Sequence, residues 1–374
     1  MKQISKKRLL EHFDWFILLI LLLLCCIGIL TIYSATRPAV EAAHPNYYLK
    51  QALWVGIGLI ALIVVASIDY TLLRSVAYPL FGFGLLLLLI VLVAGQGKMG
   101  AQRWISLGFI SFQPTEFFRL IFILGLSRYL SSFKGSMTLT HLAISLFAFA
   151  LPPFILIMKQ PDLGSGLILI FLFVLIVLAR GIEKRLLIIL IITCIVVVPI
   201  MGTLVFEHLK DYQKNRIIAF IDPDADPQGI GYQIEQSRIT IGSGMITGKG
   251  YLKGTQGPLR FLPEKHTDFI FSVFAEEWGF MGVCVIFLLY LLLFMRGLNT
   301  AVKAKDDFGR MIAIGLTNML FIYFTINTGM VLGIMPVVGV PLPFISYGGT
   351  TLIANFMTIG LLINIRMRRI GLLY

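Results

Sequence analysis

Long runs of apolar residues dominate the chain, and they restrict its fold more than any other feature. A transmembrane helix needs about 20 mostly apolar residues, whereas barrel strands are much shorter. Such runs cross a bilayer as helices, because a helix satisfies its own backbone hydrogen bonds. The sequence therefore predicts an all-α, polytopic integral membrane protein with about ten transmembrane helices. The predicted spans are roughly 15–33, 51–68, 75–95, 115–131, 139–158, 163–180, 185–205, 268–296, 308–333 and 348–366.

The composition agrees with a membrane protein and argues against other classes. The residues are 58% hydrophobic and 13% charged, with a mean hydropathy of +0.90. Soluble domains have about 45–50% apolar and about 25% charged residues. The net charge of +12 does not indicate a nucleic-acid partner, because most Lys and Arg flank apolar spans instead of forming one patch. The four cysteines all fall inside apolar runs, which indicates buried hydrophobic residues and not disulfides or metal ligands.

Lys and Arg also predict the orientation of the chain, because they accumulate in the cytoplasmic loops of membrane proteins. With a cytoplasmic N-terminus, the inner segments hold most of these residues outside the long polar segment. The short outer loops then hold only Arg37, Lys50, Lys98, Arg103 and Lys159. We therefore predict that both termini are cytoplasmic. Residues 1–374 would form a single transmembrane domain with one long extracytoplasmic loop at 206–267.

The stretch from Arg260 to Gly279 closes the only long polar segment and continues directly into an apolar span. Asp268 lies at that junction, where water meets hydrocarbon. A carboxylate there can stay hydrated enough to react and still face a lipid-linked partner, so Asp268 is the candidate catalytic residue. The alternative is structural, because Thr267 and Asp268 would also cap the following helix by accepting its free N–H groups. Position alone leaves both interpretations open.

Charged residues near the ends of two other spans are further candidates. Glu116 and Arg119 are three positions apart and share one helical face. They would form an internal ion pair, or a pair that also contacts substrate, since ionisable residues within spans are usually functional. Asp162, in the first turn of the sixth span, would stabilise its own helix dipole or pair with Arg119. The planar guanidinium of Arg103 suits phosphate or carboxylate groups.

Several spans begin at proline on the predicted outer face, as after Gln113 and Gln160. Helix N-termini carry partial positive charge and free N–H donors, so several on one face would form a site for a phosphorylated headgroup. The simpler interpretation is that these prolines only mark helix starts. Glu276 and Glu277, about two turns beyond Asp268, predict a polar cleft into the bundle, because buried carboxylates need a partner or water.

The long loop adds three patterns. Glycines interleaved with Lys249 and Lys253 would let backbone N–H groups approach a diphosphate, although the spacing is not that of a P-loop. The acidic run from Asp222 to Asp226 lacks the glycine and terminal glutamate of an EF-hand loop, so we interpret it as a turn. His266 is the one histidine near the candidate catalytic residue, and a metal site would need more His or Cys nearby.

Several motifs resemble the SEDS family, the bacterial membrane proteins of shape, elongation, division and sporulation, over nearly the whole chain. Around the candidate catalytic aspartate the motif is Pro-Glu-Lys-His-Thr-Asp-Phe-Ile-Phe at 263–271. The other motifs are Gln-Arg-Trp at 102–104, Gln-Pro-Thr-Glu at 113–116, Gln-Pro-Asp-Leu-Gly at 160–164, Tyr-Gln-Ile-Glu-Gln-Ser at 232–237 and Pro-Phe-Ile-Ser-Tyr-Gly-Gly at 343–349. Gly-Thr-Gln at 254–256 and Phe-Leu-Pro-Glu at 261–264 are more similar to the RodA branch, for elongation, than to the FtsW branch, for division.

The resemblance implies a peptidoglycan glycosyltransferase that polymerises lipid II on the outer face of the bacterial cytoplasmic membrane. It also implies that Asp268 is the family's essential aspartate. The implied partners are a class B penicillin-binding transpeptidase and other membrane proteins of the elongation complex. The chain departs from the family pattern at Thr115, Arg119 and Trp278, where Ser, Lys and Leu are usual.

This activity inverts a sugar carbon, because the donor sugar is α-linked to undecaprenyl diphosphate and the product bond is β-1,4. A base must take the proton of the acceptor hydroxyl, and Asp268 suits that task. Positive charge must stabilise the departing diphosphate. Mg²⁺ or Mn²⁺ stays open as one source of it, although the sequence holds no dedicated site. The candidate substrate-binding residues are Arg103, Gln113, Glu116, Arg119, Asp162, Gln233, Lys249, His266 and Thr267.

Two other functions stay open at this point. In a lipid flippase the same cleft would move lipid II across the membrane, along a polar path continuing inward from Glu276 and Glu277. A structural scaffold for the transpeptidase would need no such path. We find no inner cluster of polar residues that would receive a headgroup and no internal repeat, although many transporters are built from repeats. Both observations favour the transferase.

Overall fold

The computed structural model describes residues 12–37, 46–98, 101–106, 111–189, 211–223, 226, 229–255 and 265–369. Its helices are α1 (Trp15–Ala35), α2 (Tyr47–Ser67), α3 (Tyr70–Ala94), α4 (Pro114–Leu130), α5 (Leu139–Lys159), α6 (Leu163–Arg180), α7 (Asp211–Ile221), α8 (Ile230–Ser243), α9 (Ile270–Val302), α10 (Asp307–Val331) and α11 (Gly349–Met367). Between α3 and α4 lie three short antiparallel strands in the order β1 (Gln96–Lys98), β2 (Ala101–Ser106) and β3 (Ser111–Phe112). The sequence predicted only a loop there.

The predicted multi-pass helical architecture is confirmed. Eight of the described helices are long and apolar enough to cross a membrane, namely α1, α2, α3, α5, α6, α9, α10 and α11. The predicted span at 115–131 coincides with α4, which has 17 residues and is shorter than each of those eight helices. The predicted span at 185–205 lies largely outside the described residues, of which 184–189 are helical. The count of about ten spans and the extent of the long loop therefore stay predictions.

The helices α10 and α11 form the centre of the bundle. In their apolar stretches 72% and 83% of the residues are buried, against 28% in α2 and α3. The helix α11 packs along α2, α10 packs against α9 and α6, and α4 packs against α3. The peripheral helices expose large apolar side chains such as Leu53, Ile60 and Phe83. Such a surface suits contact with lipid and not with water.

Aspartates define the start of several helices. Such a cap contributes about 1 kcal/mol by satisfying a free N–H group. The start of α9 differs, because its capping position is Phe269, which has no side-chain oxygen. Asp268 stands one residue before that position. The aspartate caps are Asp14 of α1, Asp69 of α3, Asp162 of α6 and Asp306 of α10, which accept from the N–H groups of Ile17, Thr71, Ser165 and Gly309.

The helix α9 is interrupted at Gly279, whose φ of 62° and ψ of −165° are not helical. The interruption leaves N–H groups without helical partners. Those of Phe280 and Met281 donate instead to the carbonyls of Met245 and Ile246, at 2.9 and 3.0 Å. An unsatisfied backbone group in a bilayer costs several kcal/mol, so this pairing makes the interruption tolerable.

Residues 244–255, called the insert segment below, also pair with the other side of the interruption. The carbonyls of Glu276 and Glu277 accept from the N–H groups of Lys249 and Gly250, at 3.0 and 2.9 Å. The insert segment thus replaces one turn of helical hydrogen bonds on both sides of the break. It is fixed to α9 by backbone contacts, which do not depend on side-chain identity except at the glycines.

The carboxylates of Glu276 and Glu277 bind the same region and are almost fully buried. Glu276 Oε1 accepts from Lys249 Nζ at 2.6 Å and from the N–H and hydroxyl of Thr255 at 2.9 and 2.8 Å. Glu277 Oε1 accepts from the hydroxyl of Ser34 in α1. Glu276 therefore anchors the insert segment, and Glu277 joins α9 to α1. Among the described residues these contacts, and not a polar cleft, accommodate the two buried carboxylates.

We predict that Gly279→Ala destabilises the protein by about 1–3 kcal/mol, because alanine strongly disfavours a positive φ. Its Cβ would also meet the backbone of the insert segment. The measurement is thermal unfolding of the purified protein in detergent. Gly56→Ala in α2 is the matched control, since a Cβ there has no neighbour within 4 Å. Equal unfolding temperatures for the two variants would contradict this account of the interruption.

Candidate active site

A cavity of about 750 Å³ lies where several helices begin. The first turns of α2, α4, α6 and α11 border it, together with the residues just before α9 and the segment between α10 and α11. We call this end of the bundle the Asp268 end. Converging helix starts bring N–H donors and positive dipole ends toward one space. The lining includes Lys50, Leu53, Trp54, Ile57, Trp104, Gln113, Glu116, Arg119, Asp162, Ser165, Thr267, Asp268, Tyr323, Gly339, Tyr347 and Thr350.

One wall of the cavity is a buried charge cluster. Arg119 Nη1 lies 2.7 Å from Glu116 Oε1, and both side chains are buried. Arg119 Nη2 donates to Ser165 Oγ at 2.8 Å, and Ser165 donates to Asp162 Oδ2 at 2.7 Å. The hydroxyl of Tyr323 donates to the other Glu116 oxygen at 2.6 Å. The predicted cluster of Glu116, Arg119 and Asp162 is therefore present, with Ser165 between the last two.

This cluster joins three helices and combines the roles that the sequence left open. Asp162 caps α6 and also reaches the Arg119 guanidinium through Ser165. The Arg119 guanidinium lies 4.9 Å from the centre of the Tyr323 ring, which adds a cation–π contact from α10. A buried charge is tolerated when it is paired and hydrogen-bonded, and these contacts supply that pairing.

We predict that Arg119→Ala lowers stability by about 3–5 kcal/mol, because it leaves the Glu116 carboxylate buried without its counter-ion. Arg119→Lys should cost less, since it keeps the charge, although one nitrogen replaces the two that bind Glu116 and Ser165. Thermal unfolding in detergent measures both effects. Arg310→Ala is the matched control, because Arg310 pairs with Asp307 at the same spacing but on an exposed surface. A similar loss in Arg310→Ala would contradict the importance of burial.

Asp268 and Thr267 line the same cavity, and both are half-buried. The next two residues, Phe269 and Ile270, are fully buried in the bundle. Gly339 stands against the carboxylate, since a Cβ there would lie 3.3 Å from Asp268 Oδ2. Asp268 therefore stands at the boundary between packed protein and open cavity.

Lys50, in the first turn of α2, is a lining residue that sequence reasoning used only for orientation. The described lining contains two cations, Lys50 and Arg119. Arg119 is already paired with Glu116, whereas the Lys50 ammonium has no partner among the described residues. Its neighbour Gln51 is buried and binds the start of α11, with Nε2 donating to the Ser346 carbonyl at 3.1 Å. Lys50 therefore brings an exposed positive charge to the cavity from a helix that is held in place by its neighbour.

The cavity also reaches the lipid-facing surface of the bundle. Leu53 and Ile57 line it, yet their side chains are 59% and 38% exposed on α2. These residues follow Lys50 along the same helix by one and two turns. A headgroup near Lys50 would therefore lie next to an apolar track suited to a hydrocarbon chain.

The structure places the remaining sequence candidates in different settings. Gln113 lines the cavity at the start of α4. Lys249, in the insert segment, binds Glu276 of α9. Gln233 is a half-buried residue of α8. Neither Lys249 nor Gln233 belongs to the described lining of the cavity. Arg103 lies in β2 next to the lining residue Trp104, and its side chain is outside the described part of the structure.

His266 belongs to an aromatic group beside the cavity. Its ring stacks on Tyr47 with 4.6 Å between ring centres, and Tyr347 is 5.7 Å away. Burial, with a smaller contribution from Tyr47, raises the pKa of Tyr347. The Tyr347 hydroxyl therefore stays protonated at neutral pH and can donate a hydrogen bond into the cavity.

Within the described ranges, no group of three or more His, Cys, Asp or Glu side chains is arranged to hold a metal ion. The carboxylates of the charge cluster are occupied by Arg119, Ser165 and Tyr323. These residues do not fit a dedicated cation site, and no chemical step is assigned to one.

Comparisons with known proteins agree with these features. A model of the cell cycle protein family of FtsW, RodA and SpoVE matches residues 14–370. The peptidoglycan glycosyltransferase MrdB of Escherichia coli strain K12 is 38% identical over 358 residues, covering 96% of this chain and 94% of MrdB. The probable peptidoglycan glycosyltransferase FtsW of Geobacter metallireducens is 36% identical over 368 residues, covering 97% and 96%. A chain in the structure of a peptidoglycan synthase complex that coordinates polymerization and crosslinking matches with a TM-score of 0.81 and 31% identity, over 96% of this chain and 99% of that one.

Proposed function

The chain belongs to the FtsW, RodA and SpoVE family of cell cycle proteins, and we propose that its cavity is the site where lipid II is polymerised. The protein is a multi-pass membrane protein and a peptidoglycan glycosyltransferase. Its similarity to the glycosyltransferases above extends over nearly the whole length of both chains. The RodA-type motifs in the sequence support a role in cell elongation. The observation that carries the site assignment is Asp268, a half-buried carboxylate in a cavity bordered by helix starts and open to lipid.

In the proposed reaction Asp268 is the general base. Its carboxylate takes the proton from the acceptor sugar hydroxyl as that oxygen attacks the anomeric carbon of the donor. The bond from that carbon to the diphosphate oxygen breaks on the opposite face, and the undecaprenyl diphosphate leaves with the electron pair. One displacement converts the α-linkage of the donor into the β-linkage of the glycan, so no covalent enzyme intermediate is needed.

The departing diphosphate needs positive charge that is already in place. Lys50 and the first N–H groups of α11, near Thr350, support a site for it on the α2 side of the cavity. The apolar track of Leu53 and Ile57 would then receive the undecaprenyl chain. Arg119 already binds Glu116 and Ser165. It would therefore hold the wall of the cavity in place more than neutralise the charge of the diphosphate. Arg103, beside Trp104, remains a further candidate cation.

We further propose that the Asp268 end faces the outside of the bacterial cytoplasmic membrane, with both termini inside. At the opposite end α1 begins, α9 and α11 end, and Arg296 and Arg366 gather around Asp14. A concentration of Arg at that end agrees with a cytoplasmic location. The related synthase complex combines polymerization with crosslinking. This supports a class B penicillin-binding transpeptidase as partner, together with other membrane proteins of the elongation complex.

The decisive experiment is polymerisation of purified lipid II in detergent micelles. The protein is reconstituted with its transpeptidase partner, and a moenomycin-type inhibitor silences contaminating glycosyltransferases of the other family. Because a micelle has no inside or outside, transport cannot produce polymer. We predict that Asp268→Asn lowers the rate at least 100-fold, within the usual contribution of a general base.

Asp307→Asn is the matched control, because Asp307 is an exposed aspartate at the opposite end of α10. It should retain the wild-type rate. Polymer made at that rate by Asp268→Asn would remove the role of Asp268. Wild-type protein that makes no polymer with any partner would instead favour the flippase or the scaffold.

We predict that Lys50→Ala lowers kcat/KM for lipid II about tenfold, as expected for loss of one exposed charge contact to a diphosphate. Lys50→Arg should retain most activity, because it keeps the positive charge. Lys305→Ala, an exposed lysine between α9 and α10, is the control and should behave as wild type. Initial rates at several lipid II concentrations measure the effect. A Lys50→Ala variant with unchanged kcat/KM would place the diphosphate elsewhere in the cavity.

A further inference from the structure

The backbone just before α9 is held by contacts from one neighbouring region. The carbonyls of His266, Thr267 and Asp268 are three consecutive acceptors, and each receives a hydrogen bond. The donors come from the end of α10 and from the segment 332–348 that follows it. Three consecutive carbonyls with outside donors leave this turn little freedom to rotate.

Asn327, one turn before the end of α10, binds the carbonyl of Asp268 itself. Its Nδ2 donates to the Asp268 oxygen at 2.9 Å and to the Val340 oxygen at 2.7 Å. The side chain is fully buried. Both partners are acceptors, so the amide must present its NH₂ group to them. One buried amide therefore fixes the distance between the Asp268 backbone and the segment that carries Val340.

Ser346 binds the preceding carbonyl. Its hydroxyl donates to the Thr267 oxygen at 2.6 Å and accepts from the Leu342 N–H at 2.8 Å. The N–H of Tyr347 donates to the His266 oxygen at 2.9 Å. Two consecutive residues of the segment 332–348, Ser346 and Tyr347, thus bind the turn that precedes α9.

The segment itself is rigidly placed. Phe344 has a φ of 68°, which is uncommon for a residue other than glycine, and it is buried. The hydroxyl of Tyr290 in α9 donates to the carbonyl of Pro343. Gly339 of the same segment stands against the carboxylate of Asp268. Asp268 is therefore contacted from two directions, at its main-chain carbonyl by Asn327 of α10 and at its carboxylate by Gly339 of the segment.

We propose that Asn327 and Ser346 are positioning residues for the reaction, because they hold the backbone of Asp268 where its carboxylate meets the acceptor hydroxyl. This inference rests on the proposed role of Asp268 as general base. Neither residue touches substrate in this assignment. A misplacement of about 1 Å can cost as much as 100-fold in rate, so loss of either contact should act on catalysis more than on substrate binding.

The test compares Asn327→Ala with Asn364→Ala in the purified complex with lipid II. Asn364 of α11 is also fully buried and also donates to main-chain carbonyls, those of Val65, Ala66 and Ile68, at the opposite end of the bundle. Both variants should lose thermal stability. Only Asn327→Ala should lower kcat per folded molecule by about 10- to 100-fold, with KM little changed and the midpoint of the pH–rate profile unmoved.

Ser346 gives a second test with rescue. Ser346→Ala should lower kcat, and Ser346→Thr, which keeps a hydroxyl donor, should recover most of it. If Asn327→Ala and Ser346→Ala lose activity only in proportion to their unfolded fraction, as expected for Asn364→Ala, the two residues are purely structural and the inference is wrong. If Asp268→Asn polymerises lipid II at the wild-type rate, the base assignment fails instead.

A third test uses two glycine variants, and it applies even if Asn327→Ala does not fold. Gly339 and Gly333 both have a φ of 72°, so alanine is equally strained at either position. The new Cβ would approach the Asp268 carboxylate at Gly339, but the side chains of Arg238 and Ile234 at Gly333. Gly339→Ala should lower kcat at least tenfold more than Gly333→Ala, by displacing the carboxylate. Equal values of kcat in the two variants would show that this segment does not position Asp268.

Discussion

The whole bundle depends on satisfying backbone polar groups where regular helix stops inside a low-dielectric environment. Buried amide side chains serve this purpose at both ends of the molecule. An amide carries two N–H donors, so a single side chain can bind carbonyls from different segments and fix the distance between them. Asn327 does this with the carbonyls of Asp268 and Val340. The other buried amides each bind carbonyls of one segment, Asn364 those of Val65, Ala66 and Ile68, Gln51 that of Ser346, and Gln160 that of Leu88. The insert segment does the same with backbone groups alone.

Buried charged side chains also need partners inside the protein. Asp14 caps α1 and receives the guanidinium groups of Arg296 and Arg366 at 2.9 and 2.6 Å, which ties α1, α9 and α11 together at one end. At the other end the pair of Glu116 and Arg119 joins α4 to α6 and α10. The open cavity removes packing between the helices at the Asp268 end. Clusters of this kind keep the surrounding helices in register without filling that space.

The sequence was sufficient for the features that depend on local pattern. Apolar run length located the helices, and the three-residue spacing of Glu116 and Arg119 located their ion pair. Contacts between distant segments were not accessible in this way. The interruption of α9 depends on the conformation of Gly279 and on pairing with residues 27 to 35 positions earlier, so the partners of Glu276 and Glu277 were missed. Lys50 and Asn327 gave no local signal, because only the packing of α2 against α11 brings Lys50 to the cavity, and only the packing of α10 against α9 brings Asn327 to the Asp268 carbonyl.

Two carboxylates of the cavity show how surroundings assign different tasks to the same group. Glu116 is buried, and both of its oxygens are occupied, by Arg119 and by the Tyr323 hydroxyl. Accepting a proton there would break a buried ion pair, so Glu116 is suited to structure. Asp268 is half-buried, and the contacts that fix it include its main-chain oxygen and not only its carboxylate. A hydrogen bond to the main chain sets where a carboxylate stands without directly adding to its charge stabilisation. The position of Asp268 is therefore set in part through its main chain, which suits the role of base that we propose for it.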